Sequence, residues 1–317
     1  MKYNIVSKEK IDVGVEDYSF RLTASAYNFS WYYNGSKLVL PINDNVVVLV
    51  EEVERNKLEA SIYSRTREID VSDVVEKTAW ILGVNEDLSE FYEIWKNDSL
   101  LSRSYKVLRG IRIRGTSLWQ SLLIGVCQQN ASFKQGWRML ALLYKTLGKH
   151  VYIKGFGETI ILPSPLDVAR ASEQQLRSCK LGYRSSIIRR LAQLFNRKEL
   201  SDTIGAPIDE KELTRIKGIG PYTARLALVL SCRRYDKAPI DRWLKRIIVE
   251  VYKVSESDAE EYWHRIWGKY AGLATILATI ALDAVVLTKA LDRIRKGQTY
   301  PLLREELLTP LTLWRHI

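Results

Sequence analysis

Lys217-Gly218-Ile219-Gly220-Pro221-Tyr222-Thr223-Ala224 lies between two apolar-periodic runs, and its reading decides the fold. Upstream, Asp209 to Ile216 carries Leu213 and Ile216 at helical spacing. Downstream, Ala224, Leu226, Ala227 and Leu230 mark the buried stripe of a second helix. Pro221 suits the first turn of that helix, where its missing N–H costs nothing. Gly218 and Gly220 allow the sharp reversal and the close approach of another backbone. The stretch therefore predicts a helix–hairpin–helix unit. The amides at the start of its second helix form a positive concavity suited to a phosphate, read without regard to base sequence. Two glycines between helices are common, so the pattern alone is better read as an ordinary helical turn.

Charge widens the reading. The 317 residues carry 48 Lys and Arg against 37 Asp and Glu, a formal net charge of +11. Residues 1–105 hold 12 basic and 18 acidic side chains, a net of −6, whereas residues 106–317 hold 36 and 19, a net of +17. Such segregation points to a polyanion met by the second segment. Hydrophobic residues at 46% and charged residues at 27% exclude a disordered chain. No run approaches the roughly 18 apolar residues of a membrane span, and Met1-Lys2-Tyr3-Asn4 does not open a signal peptide. A cytoplasmic or nucleoid location is expected. Cys127, Cys179 and Cys232 form no C-x-x-C pair, and His150, His264 and His316 are equally scattered. A disulfide framework, an all-cysteine cluster and a transition-metal site are disfavoured.

Outward from the hairpin, the chain divides into an expected α+β arrangement. The first ~70 residues read as strands. Asn34-Gly35 sits as a hairpin turn between Phe29–Tyr33 and Lys37–Leu40, Asp44-Asn45 precedes Val46–Val50, and another strand falls near Leu58–Tyr63. Helical periodicity begins near Ser72-Asp73, and Leu88–Trp95 is another short helix. From Ser117 to Leu291 nearly every segment reads as helix. The expected units are a small antiparallel β-rich domain (1–105), a helical domain (106–205) that the C-terminal helices could complete, the helix-hairpin-helix region (206–295), and a tail (296–317).

The spacing sharpens the hairpin. Tyr222 and Asp241 are 19 positions apart, and Asp241 opens a further helix after Pro239. Asp241 on its own is a good N-cap for the amides of Trp243 or Leu244. The stretch also resembles the helix-hairpin-helix DNA glycosylase (HhH-GPD) superfamily, in which a Gly/Pro-rich loop ends in an aspartate at a helix start. Both readings of Asp241 hold together. Cys127-Gln128-Gln129-Asn130, Leu181-Gly182-Tyr183-Arg184 and Trp267-Gly268-Lys269-Tyr270-Ala271-Gly272 are similar to segments of the 8-oxoguanine glycosylase branch, in the same order. Ser25–Trp31 resembles that branch's first domain.

The resemblance implies an enzyme that flips a damaged base from double-stranded DNA and cuts its bond to deoxyribose. It implies a catalytic carboxylate at Asp241, a DNA-gripping hairpin at Gly218, Ile219, Gly220 and Thr223, and wedge or opposite-base residues at Asn130, Tyr183 and Arg184. The alternative for Tyr183 and Arg184 is a loop aromatic beside a solvated cation. By the same resemblance Ala26, Trp31, Thr275 and Thr279 belong to the base pocket. Two departures weigh against 8-oxoguanine. Tyr222 stands where bifunctional members place an amine nucleophile, and a phenol forms no Schiff base. Ala26 replaces a glycine, and two threonines replace the glutamine and phenylalanine that grip that base.

The expectation is a monofunctional glycosylase acting on an alkylated purine, using the aromatic rings as a stacking surface for a cationic base. An 8-oxoguanine glycosylase with another amine and a silent binder of damaged DNA are the alternatives. Trp119, Trp137, Trp243, Tyr222 and Tyr27 are the rings that most invite inspection. A monomer is expected, with no membrane partner, no resident metal and no cofactor beyond a monovalent cation at the hairpin.

Overall fold

The computed structural model describes residues 3–317. Four strands, β1 (Asn4–Asp12), β2 (Lys37–Pro41), β3 (Val46–Glu54) and β4 (Lys57–Ser64), form one antiparallel sheet in the order β1-β4-β3-β2. A body of helices follows, so the fold is α+β as the sequence indicates.

The run Val46–Val50 lacks polar alternation because the sheet is covered on both faces. Val46, Val48 and Val50 face the Val71–Leu82 helix with Leu38, Leu40 and Ile62. Val39, Val47, Leu49 and Tyr63 face the helical body instead. This second face welds the small domain to the rest. The Val71–Leu82 helix begins earlier than Ser72-Asp73, because Asp70 is its N-cap and accepts from the Asp73 amide at 3.1 Å.

Three local expectations are corrected. Phe29–Tyr33 is not a strand. It follows a short helix (Phe20–Ser25) as a turn, and only Tyr33 makes a β-bridge, to Leu38 across the Asn34-Gly35 turn. Its rings are nearly all buried, which a pleated strand at a solvent edge would not allow. The strand that completes the sheet is β1, whose Lys and Glu side chains hide its period. Within the expected all-helical stretch, β5 (Lys149–Ile153) and β6 (Gly157–Ile161) form a two-stranded hairpin. Gly155 at φ +88° supplies its turn.

The helices divide between two cores. One gathers Leu118–Gln128, Phe133–Leu147 and Arg184–Asn196, and the other gathers Arg242–Tyr252, Ala259–Trp267 and Ala271–Ala281. Pro221–Cys232 joins both, packed against Leu118–Gln128 so closely that a Cβ on Gly125 would come within 2.9 Å of Thr223. The end of that helix is anchored to the Val71–Leu82 helix and the loop after it. Arg233 pairs with Glu86 at 2.7 Å and donates to the Trp80 carbonyl at 2.8 Å. The last residues return to the N-terminal domain, where Trp314 packs edge-on against Tyr33 and the Pro310 carbonyl accepts from the Tyr27 amide at 2.7 Å.

Candidate active site

The hairpin forms as its sequence implies. The short helix Glu210–Thr214 leads into Gly218 at φ +98°, and Pro221–Cys232 starts at Gly220 without any side-chain cap. A side chain at Gly218 would press within 2.7 Å of Ile187, so glycine is required both by conformation and by space. Ile219 is buried as the hairpin's anchor, while Lys217, Gly218 and Gly220 stay exposed. Thr223 is buried and its hydroxyl accepts from Gln129 Nε2 at 2.9 Å.

Gln129 links two features that are far apart in sequence. The same amide nitrogen donates to the Gly218 carbonyl at 2.9 Å, so the loop holding Asn130 is tied to the hairpin. Asn130 occupies the left-handed region, at φ +44°, and is exposed. Its Nδ2 lies 3.3 Å from the hydroxyl of Tyr183, which is 52% exposed. These two wedge candidates therefore stand together at the surface.

Arg184 does not join them in solvent. It is 6% exposed, donates to the backbone carbonyls of Gln129 and Leu181, and lies with its guanidinium 4.6 Å from the Tyr183 ring centre. The alternative of a solvated cation falls away: the two terminal nitrogens donate to backbone carbonyls, and Nε is buried without a partner. In this geometry Arg184 braces the loop that carries Asn130. On the expectation of base release drawn from the sequence, Arg184→Ala should slow it by about ten-fold, the scale of a buried charge-assisted hydrogen bond. The loss should be equal opposite all four bases; a loss concentrated on one of them would return Arg184 to base reading.

A cavity of about 1000 Å³ is lined by residues of the two helical cores and of the sheet. Asp241, Tyr222, Trp243, Tyr27, Ala26 and Thr279 line it, as do Trp119 and Trp137, so all five singled-out rings meet there. Asp241 caps the Arg242–Tyr252 helix, accepting from the Leu244 amide at 2.8 Å. It stays open to solvent, yet the surrounding walls strip water from its carboxylate and push its pKa above the ordinary value, against the stabilising amides of Leu244 and Trp243. The Tyr222 hydroxyl is likewise pushed up, chiefly by burial, with the negative charge of Asp241 adding to the effect. That coupling places the two side chains in one electrostatic environment. Tyr27 stacks on Trp137, with ring centres 5.6 Å apart and planes at 25°.

Two expected pocket residues lie elsewhere. Trp31 stacks on Phe29 at 4.5 Å and does not line the cavity. Thr275 is buried and returns its hydroxyl to the Ala271 carbonyl of its own helix at 3.0 Å. Arg114 is a lining residue that sequence reasoning missed. Its guanidinium donates to the carbonyls of Thr23 and Ala24, holding the loop that presents Ala26, and burial lowers its pKa to about 10. The Arg-x-Arg alternation of residues 112–114 was its only signal.

Among the described residues lining the cavity, Lys77 is the sole lysine, and it pairs with Asp73 at 2.6 Å. Lys217 and Lys245 lie outside the lining. No cluster of three or more potential metal-ligating side chains exists among the described residues. No helix among them is long and apolar enough to cross a membrane.

No protein-family model matches the chain. It is 31% identical over 173 residues to the DNA-3-methyladenine glycosylase of Bacillus subtilis, covering 50% of this chain and 54% of that protein. The chain thus spans about half the length of that curated relative. It is 23% identical over 249 residues to a probable N-glycosylase/DNA lyase of Methanothermobacter thermautotrophicus, covering 70% and 78% of the two. The fold matches the 3-methyladenine DNA-glycosylase of Archaeoglobus fulgidus with a TM-score of 0.68 at 18% identity, over 90% of this chain and 98% of that one. These similar proteins are all DNA glycosylases, consistent with the superfamily resemblance of the hairpin.

Proposed function

We propose that this protein, which shares its fold with DNA glycosylases, is a monofunctional glycosylase that flips an alkylated purine out of double-stranded DNA and hydrolyses its bond to the sugar. The observation that carries the reading is Asp241 on the cavity wall beside Tyr222, with no lysine at the hairpin position. As the N-glycosidic bond lengthens, the sugar gains positive charge. The Asp241 carboxylate stabilises that charge and takes a proton from the attacking water. The electron pair of the broken bond leaves with the base. A base alkylated to a cation departs neutral without protonation, which suits a site where Asp241 is the carboxylate beside Tyr222. The stacked Tyr27 and Trp137 rings supply an electron-rich face for such a cation.

Asn130 and Tyr183 would fill the vacated stack while the uncapped hairpin holds a phosphate. The reaction calls for no organic cofactor. A monovalent cation could join the hairpin carbonyls to a phosphate, for Gly218 O keeps a second lone pair beside its bond from Gln129. A monomer suffices, because every proposed group comes from one chain.

An 8-oxoguanine reading keeps one favourable observation, that Ala26 does line the cavity. The deciding experiment is a set of duplexes, each with one lesion, scored for base release before and after hot alkali. Release confined to oxidised guanine would replace the alkylated-purine reading, and release of no base would leave a silent binder.

Duplex affinity should fall steeply with salt, because the net +17 of residues 106–317 would displace counterions. Roughly six phosphate contacts would give a log–log slope near −5 in a titration followed by fluorescence anisotropy. A flat dependence would remove the electrostatic part of the proposal.

A further inference from the structure

Asp241 follows the segment Ala238-Pro239-Ile240, and the Ala238 backbone is gripped by side chains on both of its polar groups. Its amide, in a residue with 0% exposure, donates to His264 Nε2 at 3.1 Å. Its carbonyl accepts from the Ile240 amide at 3.0 Å and from Arg225 Nη1 at 3.4 Å. Pro239 fixes its own φ, so little freedom remains between the gripped residue and Asp241. Where Ala238 sits therefore sets where the carboxylate sits.

The grip reaches the hairpin. Arg225 lies on the hairpin's second helix and pairs with Glu210 of its first helix at 3.0 Å. It also pairs at 2.5 Å with Glu260, one turn before His264 on the Ala259–Trp267 helix. Lys237, next to Ala238, pairs with the same Glu210 at 3.1 Å. The Asp241 loop, both hairpin helices and the helix of His264 thus meet at one junction, whose charged side chains are Arg225, Lys237, Glu210 and Glu260.

One proton state of His264 fits this junction. An amide N–H only donates, so Nε2 is the bare nitrogen, and Nδ1 carries the proton that it donates to the Glu260 carbonyl at 2.8 Å. A second proton would turn Nε2 into a donor facing a donor. The buried Ala238 amide would then lose its acceptor, a state that native structures avoid.

We propose that His264 is a positioning residue for Asp241: as a neutral acceptor it pins the Ala238 amide, and its protonation frees the carboxylate's loop in mild acid. This rests on the excision reading above and names a group that governs it.

The test compares single-turnover release of N7-methylguanine from duplex DNA by the natural protein, His264→Gln and His264→Ala. Glutamine offers an acceptor oxygen in place of Nε2 and does not titrate, so its rate at neutral pH should match the natural one. Alanine should release base about ten-fold more slowly with duplex affinity unchanged, part of the hundred-fold that misplacing a reacting group by about 1 Å can cost. The ratio of the natural rate to the glutamine rate cancels the dependence that belongs to Asp241 itself. That ratio should stand near one at neutral pH and fall by about ten-fold in mild acid, as protonation reproduces the alanine defect. A ratio that stays flat with pH would overturn the proposal, and so would full release by the alanine variant or equal losses in both variants.

Deuterium exchange at the Ala238 amide, followed without DNA at one pH, reports the grip directly. It should be slow in the natural and glutamine proteins and fast in the alanine variant, and equal protection in all three would overturn the proposal. Fast exchange throughout the alanine variant would mark a misfolded protein, and the glutamine ratio then decides. Release of no base by any of the three would remove the excision reading, a result distinct from exchange that shows no grip.

Discussion

Asp241→Asn should reduce base release by roughly 100-fold or more, the scale set by removing a preorganised group from a developing charge. Duplex binding should be retained or tightened, since a negative charge leaves a phosphate-facing surface. Asparagine caps a helix about as well as aspartate, so the bond to the Leu244 amide has a replacement. Two further readouts separate chemistry from damage to the fold. The natural protein's rate should rise with pH as Asp241 ionises, with a midpoint above the ordinary carboxylate value because burial raises it; the variant's residual rate should lack that limb.

Stability should move the opposite way from activity. A carboxyl whose folded pKa is raised binds its proton more tightly in the folded state, so its contribution is present at low pH and lost as pH rises through that value. Near neutrality the ionised Asp241 opposes folding, and Asp241→Asn should melt at a higher temperature. The gain should vanish in acid, where Asp241 is protonated. Full base release in the variant, measured beside the melting curve, would remove the catalytic assignment.

The second large effect concerns the DNA strand. The proposed reading has Tyr222 at the hairpin position and Lys217 and Lys245 outside the cavity lining, while Lys77, the one lining lysine among the described residues, pairs with Asp73. The expected products are a free base and an intact abasic strand, with no covalent complex trapped by borohydride during turnover. Tyr222→Lys tests the same geometry in reverse. A lysine there would lose some of its proton affinity by burial and regain part of it from Asp241. Borohydride trapping should therefore appear only in the variant. Trapping by the natural protein, or strand nicking at the rate of base release, would identify an amine that reaches the sugar and shift the reading to a bifunctional enzyme.

How far the chain could be read without coordinates depended on how local each signal was. The Gly218–Tyr222 turn, the Asp241 cap and the rings around the cavity were legible because each rests on a short spacing or a residue type with few alternatives. The two-faced burial of β3 was not, since a continuous apolar run fits a buried helix as well as a buried strand. β1 escaped because charged side chains on an edge strand blur its period. Arg184 illustrates a different gap. A guanidinium beside a wedge tyrosine suggests contact with a base, and only the fold shows that the Gln129 carbonyl takes it. Trp31 and Thr275 lie one step from lining residues, a distance that sequence similarity does not resolve.

The loop that presents Ala26 and Tyr27 bears on how the protein is made. Its amides at Tyr27 and Ser30 are held by the carbonyls of Pro310 and Ile317, about 285 positions later in the chain. A ribosome releases the hairpin and Asp241 well before those carbonyls exist. The basic helices can then fold while one wall of the cavity is still unset. Closing so long a loop is slow relative to local helix formation. The order of synthesis therefore leaves the wall at Ala26 and Tyr27 to be fixed after the hairpin and Asp241 have emerged.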